Sequence, residues 1–155
     1  MSESTKIKLK IGDIAPDFAT VTQNGEKIDL YSILDSGKKI LLVFYPADST
    51  PGCTTQLCGI RDLYKEYSDL NVTILGVNPG NAESHIKFIE KYNYQFDIVI
   101  DEDRQIIEKY GAKGFLYGRP RIMRGVFLIG SNKKIIYRFW GQQDNQKIIN
   151  ILKEL

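Results

Sequence analysis

The chain has 155 residues, 43% of them hydrophobic and 26% charged, values ordinary for a water-soluble globular protein with room for a proper core. A net charge of +2 with no block of like charges argues against a nucleic-acid binder, and no stretch approaches the roughly 20 apolar residues of a membrane span. Residues 1–155 therefore read as one domain. Met1 to Lys10 lacks the apolar core of a signal peptide, so the expected location is the cytoplasm, where a close cysteine pair is more often catalytic or metal-binding than a static staple.

Residues 1–11 are polar and read as a loose arm or a short first strand. Gly12 to Phe18 is a turn leading into an extended segment. Phe18–Thr22 and Lys27–Leu30 flank Asn24-Gly25, a strong hairpin signal. Leu30–Leu34 is a short helical turn closed near Gly37, and Lys38–Tyr45 is an apolar run that reads as the first central strand. A helical pattern follows from Cys53 to about Asp69, with Leu57, Ile60, Leu63, Tyr64 and Tyr67 as its apolar stripe. Asn71–Val77 predicts a buried strand ended by Asn78-Pro79-Gly80. Ala82–Tyr92 predicts a helix with Ile86 and Ile89 inward and His85 exposed, and Phe96–Ile100 a third strand.

Asp101 or Asp103 can cap a short helix running to about Tyr110, with Gly111 ending it. Residues 111–124 read as an irregular basic loop. Val126–Ile129 and Ile135–Trp140 are strands joined by a polar turn, and Asp144 can cap a last helix carrying Ile148, Ile149, Ile151 and Leu152. Strands alternating with helices, then a closing hairpin and helix, predict an α/β fold: a central mixed sheet flanked by helices. In such sheets, sites gather beyond the carboxyl ends of strands.

Both cysteines lie at such a place. Phe44-Tyr45-Pro46-Ala47-Asp48-Ser49-Thr50-Pro51-Gly52-Cys53-Thr54-Thr55-Gln56-Leu57-Cys58 runs from strand through a Pro/Gly-punctuated loop into a helix. The free N–H groups and positive dipole end of a helix favour thiolate over thiol. Pro46-x-x-x-Thr50-x-x-Cys53 matches the peroxiredoxin active-site motif, and the longer string resembles the peroxiredoxin Q branch, also called bacterioferritin comigratory protein. The resemblance spans nearly the whole chain. It implies a thioredoxin-like fold with an N-terminal β-hairpin addition, and a thiol peroxidase for hydrogen peroxide or organic hydroperoxides that needs no haem, flavin or metal.

The resemblance also assigns roles. Cys53 is the peroxidatic nucleophile, whose thiolate attacks a peroxide oxygen and becomes a sulfenic acid. Thr50 can hydrogen-bond thiolate and peroxide, or simply serve the loop and helix cap. Pro46, with no N–H and a fixed φ, can shape the pocket and shield the thiolate, or simply end the strand. A thiolate pocket calls for a cation to hold negative charge in the transition state. Arg124 has the family position one residue before a strand; Arg119 and Arg121 compete, and Val126 departs from the Thr or Ser usual there. Asp48 is placed to cap or brace the loop. Tyr45 resembles the family's aromatic beside the site or is core, Arg61-Asp62 supports the site or is a solvated face, and Trp140 is a packing residue.

Cys58 is implied as the resolving thiol, giving an intramolecular Cys53–Cys58 disulfide recycled by thioredoxin or a similar dithiol protein in a monomer. In a regular helix, Cα atoms five residues apart are about 8–9 Å from one another, beyond the roughly 7 Å limit for a bridge. The first turns must therefore unwind. Gly59, which costs about 1 kcal/mol against alanine inside a helix, would ease that. The rivals are a thiol-disulfide oxidoreductase, though such enzymes usually use C-x-x-C, and a redox-sensing or holdase module. Two cysteines and a distant His85 make a poor zinc site.

Overall fold

The computed structural model describes residues 9–155, apart from the side chain of Leu116. The elements are β1 (Ala19–Thr22), β2 (Lys27–Asp29), α1 (Leu30–Asp35), β3 (Lys39–Phe44), α2 (Pro51–Asp62), α3 (Tyr64–Asp69), β4 (Val72–Asn78), α4 (Ala82–Tyr92), β5 (Asp97–Ile100), α5 (Gln105–Tyr110), β6 (Lys113–Leu116), β7 (Arg119–Ile122), β8 (Gly125–Ile129), β9 (Ile135–Trp140) and α6 (Asn145–Lys153). Seven strands form one mixed sheet in the order β2-β1-β5-β4-β3-β8-β9. β3, β4 and β5 are parallel, whereas β8 runs antiparallel to β3 and β1 antiparallel to β5.

β3 sits inside this sheet and is buried on both faces, which is why its sequence is an unbroken apolar run. Ile40, Leu42 and Phe44 point into one core with Leu30 and Leu34 of α1 and Ile106, Ile107 and Tyr110 of α5. Leu41, Val43 and Tyr45 point into the other, with Cys53, Leu57 and Ile60 of α2, Phe88 of α4 and Ile148, Ile149 and Leu152 of α6. The alternation follows from the two-residue side-chain period of a strand.

The expected N-terminal hairpin is present. β1 and β2 pair antiparallel, and Gly25 supplies the positive φ (81°) their connection needs. The proposed arm falls mostly on residues 1–8, outside the described residues; Leu9 packs against the core. Asp101 and Asp103 both serve α5. Asp101 accepts from the N–H groups of Ile106 and Ile107 at 3.0 and 2.8 Å, and Asp103 from that of Gln105 at 3.2 Å.

Four readings need correction. The expected single helix to Asp69 breaks at Leu63 (φ −113°, ψ 16°) into α2 and α3. α4 buries His85 and Phe88 rather than Ile86 and Ile89, which are half-buried; Phe88 packs against the rings of Tyr45 and Tyr94, and this aromatic contact outweighs the aliphatic pattern. His85 is 0% exposed because it bonds a buried carboxylate. The basic segment is ordered as the β6–β7 hairpin, turning at Tyr117 and Gly118, both with positive φ (52° and 77°).

Candidate active site

The site lies beyond the carboxyl end of β3. Thr50 is extended (φ −81°, ψ 152°), as the residue before a proline must be, and Pro51 opens α2 where its missing N–H costs nothing. This places Cys53 third in the helix, inside the first turn whose N–H groups have no partner within the helix. Ser49, in the left-handed region (φ 65°), turns the loop toward that start. Cys53 is fully buried, and both cysteines are free thiols.

Arg124, immediately before β8, reaches across to this turn. Its Nη1 donates to Cys53 Sγ at 3.5 Å and to Gln56 Oε1 at 2.8 Å. β8 pairs directly with β3 (Phe44 opposite Gly125), so sheet register brings together residues 71 apart in sequence. Gly52 makes room: a Cβ there would lie 2.9 Å from Arg124 Nη2. Arg119 and Arg121 lie on the β7 strand of the hairpin, and neither has a recorded bond to Cys53.

Gln56 was not among the sequence candidates. It is fully buried, its Oε1 holds Arg124, its Nε2 lies 3.5 Å from Phe44 O, and its backbone carbonyl accepts from Gln143 Nε2 at 3.2 Å. A signal existed: a polar residue three after Cys53 shares the cysteine's helix face, amid the apolar stripe.

Thr50 Oγ1 donates to Ala47 O at 3.0 Å rather than to Cys53, and Thr50 is exposed. With its hydrogen engaged, the hydroxyl oxygen is left as an acceptor. Pro46 is half-buried at the strand end, and its carbonyl accepts from Asn78 Nδ2 at 3.2 Å. Asp48 is the loop's brace. Its Oδ1 accepts from Tyr45 OH at 2.6 Å; its Oδ2 accepts from Ser84 Oγ at 2.6 Å and lies 2.6 Å from His85 Nδ1. Burial alone would raise the Asp48 carboxyl, but the bonds from His85, Ser84 and Tyr45 hold it below its ordinary value. Burial, with Asp48 as neighbour, pushes the Tyr45 phenol well up.

Cys58 is half-buried one and a half turns further along α2, and its Sγ lies 3.4 Å from Tyr94 OH. Gly59 does more than weaken the helix. A Cβ there would come 3.0 Å from Asn145 Nδ2, so glycine also admits the start of α6. Arg61 anchors α2 outward: Nη1 donates to Tyr92 O at 2.9 Å and Nε to Asp62 at 3.0 Å. Trp140 packs edge-on against Phe127, as a packing residue should. A surface groove of about 640 Å³ beside β1, β2 and α1 contains none of these residues.

Fold and site together define a thioredoxin-fold protein with a cysteine redox centre. The chain belongs to the AhpC/TSA family, whose model matches residues 11–138. It is similar to peroxiredoxin Bcp of Escherichia coli K12, 35% identical over 153 residues covering 94% of this chain and 97% of that one. Against peroxiredoxin Bcp of Bacillus subtilis 168 it is 36% identical over 132 residues, 83% of each chain. The crystal structure of peroxidoxin BcpB from Mycobacterium tuberculosis superposes with a TM-score of 0.86 at 27% identity, covering 96% of this chain and 99% of that one.

Proposed function

We propose that the chain is a thiol-dependent peroxidase with Cys53 as peroxidatic nucleophile. The observation that carries this reading is the Arg124 guanidinium 3.5 Å from a buried sulfur in the first turn of a helix. The Cys53 thiolate attacks the terminal oxygen of hydrogen peroxide or an organic hydroperoxide. The S–O bond forms, the O–O bond breaks, and the other oxygen leaves as water or alcohol after taking up a proton. Arg124 holds the negative charge as it passes from sulfur to the leaving oxygen. Thr50, its hydrogen given to Ala47, accepts from the peroxide O–H and orients it. Pro46 presents no N–H to the site and keeps water off the sulfur.

Cys58 then resolves the sulfenic acid. Its thiolate attacks the Cys53 sulfur, the S–S bond forms, and the S–O bond breaks to release water. Both cysteines lie on α2, so the helix unwinds for this step. Thioredoxin or a similar dithiol protein reduces the disulfide. Both thiols belong to one chain, which supports a monomer acting as one domain, and a catalytic thiol pair is at home in the cytoplasm, where thiols are kept reduced.

The test is hydrogen-peroxide consumption with a thioredoxin system supplied. Wild type should turn over rapidly, Cys53→Ser should be inactive, and Cys58→Ser should stop after one turnover with a trappable sulfenate. Turnover no faster than that of free cysteine would refute the assignment.

A further inference from the structure

The proposed resolving thiol is not pointed at its partner. In the closed helix, Cys58 Sγ faces the Tyr94 hydroxyl at 3.4 Å. Tyr94 lies between α4 and β5, outside every motif discussed above. Its ring is stacked with those of Tyr92 and Phe96, with centroids 5.8 and 5.1 Å away, and meets Phe88 edge-on at 5.2 Å. The hydroxyl is therefore held on a rigid aromatic stack. Tyr94 is 6% exposed, and Cys58 is the one hydrogen-bond partner recorded for that hydroxyl among the described residues. Burial raises the phenol's pKa, so it stays protonated.

The same segment grips the next turn of α2. Arg61 Nη1 donates to Tyr92 O at 2.9 Å, and Gln95 Nε2 donates to Arg61 O at 3.3 Å. The helix is thus pinned at two places: near Cys53 by Arg124 acting through Gln56, and near Cys58 by residues 92–95. Freeing Cys58 breaks its bond to Tyr94 and takes away that hydroxyl's partner.

We infer that Tyr94 is a positioning residue that latches Cys58 in the folded helix and thereby sets how long the Cys53 sulfenate survives before resolution. The inference rests on the peroxidase reading for its consequence. Chemically the step is unchanged: the Cys58 sulfur is oxidised as it bonds the Cys53 sulfur, the latter is reduced, and hydroxide leaves to become water with the proton Cys58 sheds. Tyr94 acts on the opening that precedes it. A tight latch lengthens the sulfenate's life, so a second peroxide can carry Cys53 on to sulfinic acid.

Tyr94→Phe removes the hydroxyl and keeps the stack. In stopped-flow measurements on the reduced protein, sulfenate formation should keep its wild-type rate. Disulfide formation should speed up about three- to tenfold, the range expected for one lost hydrogen bond. The peroxide concentration needed for over-oxidation should rise by a similar factor. A fold-level role would not divide the two rates in this way. In a Cys53→Ser background, iodoacetamide should alkylate Cys58 faster by the same factor when Tyr94→Phe is added. Unchanged or slower disulfide formation, or unchanged alkylation, overturns the latch. If wild type forms no sulfenate, the peroxidase reading fails, and the alkylation rates alone still decide for or against the latch.

Discussion

Replacing Gly52 by alanine should move stability and activity in opposite directions. Gly52 is exposed, second in α2, and has no positive φ, so its backbone accepts alanine. Helix propensity and the stiffer unfolded chain then favour the variant by about 0.5–1 kcal/mol. The new Cβ, however, would lie 2.9 Å from Arg124 Nη2 and 3.5 Å from its Cζ. The guanidinium is the far end of a flexible side chain and retreats by about 0.5 Å to reach ordinary contact. Lengthening Nη1···Sγ from 3.5 Å to about 4.0 Å weakens the attraction for a thiolate by about 0.6 kcal/mol at an effective dielectric of about 20. Misalignment of the charge-assisted bond to Gln56 adds about 1 kcal/mol. The rate of Cys53 with hydrogen peroxide should fall about tenfold, while the urea midpoint holds or rises. Stopped-flow thiol loss and equilibrium unfolding measure the two sides. An unchanged rate with raised stability would refute Arg124 as the charge partner of Cys53. Loss of both would show a backbone clash instead of a displaced guanidinium.

Gln56→Leu removes the acceptor that fixes Arg124 while nearly conserving volume. Peroxide reactivity should drop about tenfold or more, the scale of a hydrogen bond to a charged group, and stopped-flow kinetics would expose an unaffected rate. Asp48→Asn leaves at least one of the three groups converging on that carboxylate unmatched, costing about 1–3 kcal/mol for each. Its pH dependence is a sharper check. The Asp48 carboxyl is held below its ordinary value in the fold, so its stabilisation is present above the unfolded value of about 4 and is lost as pH falls through the depressed folded value. The stability gap between wild type and Asp48→Asn should therefore be widest near neutrality and shrink in acid. A gap constant down to pH about 2 would contradict this assignment.

Much of the fold was legible because its cues are local. The apolar run of β3, Asn24-Gly25 and the Asp144 cap each act over a few residues, and those elements formed within a residue or two of expectation; α2 starts at Pro51, two residues before the expected Cys53. The β6–β7 hairpin escaped because its strands are four residues each, mixed in polarity and outside the main sheet, leaving no period-2 apolar signal to read. The cysteines, Thr50 and Pro46 were legible as one contiguous string.

What only the tertiary structure decided is which distant groups meet that string. Arg124 is favoured over Arg119 and Arg121 by its place before a strand, but its contact with Cys53 exists only because β8 pairs with β3 and brings the guanidinium to α2. His85 reads as an exposed helix residue until Asp48, 37 positions earlier, is seen 2.6 Å away. Tyr94 belongs to no motif in the sequence and meets Cys58 only in the fold, its hydroxyl 3.4 Å from the sulfur. Local patterns set where a backbone turns helical or extended, because propensity and capping act between near neighbours. Partners of buried polar atoms are set by sheet register and helix packing, which join residues dozens of positions apart.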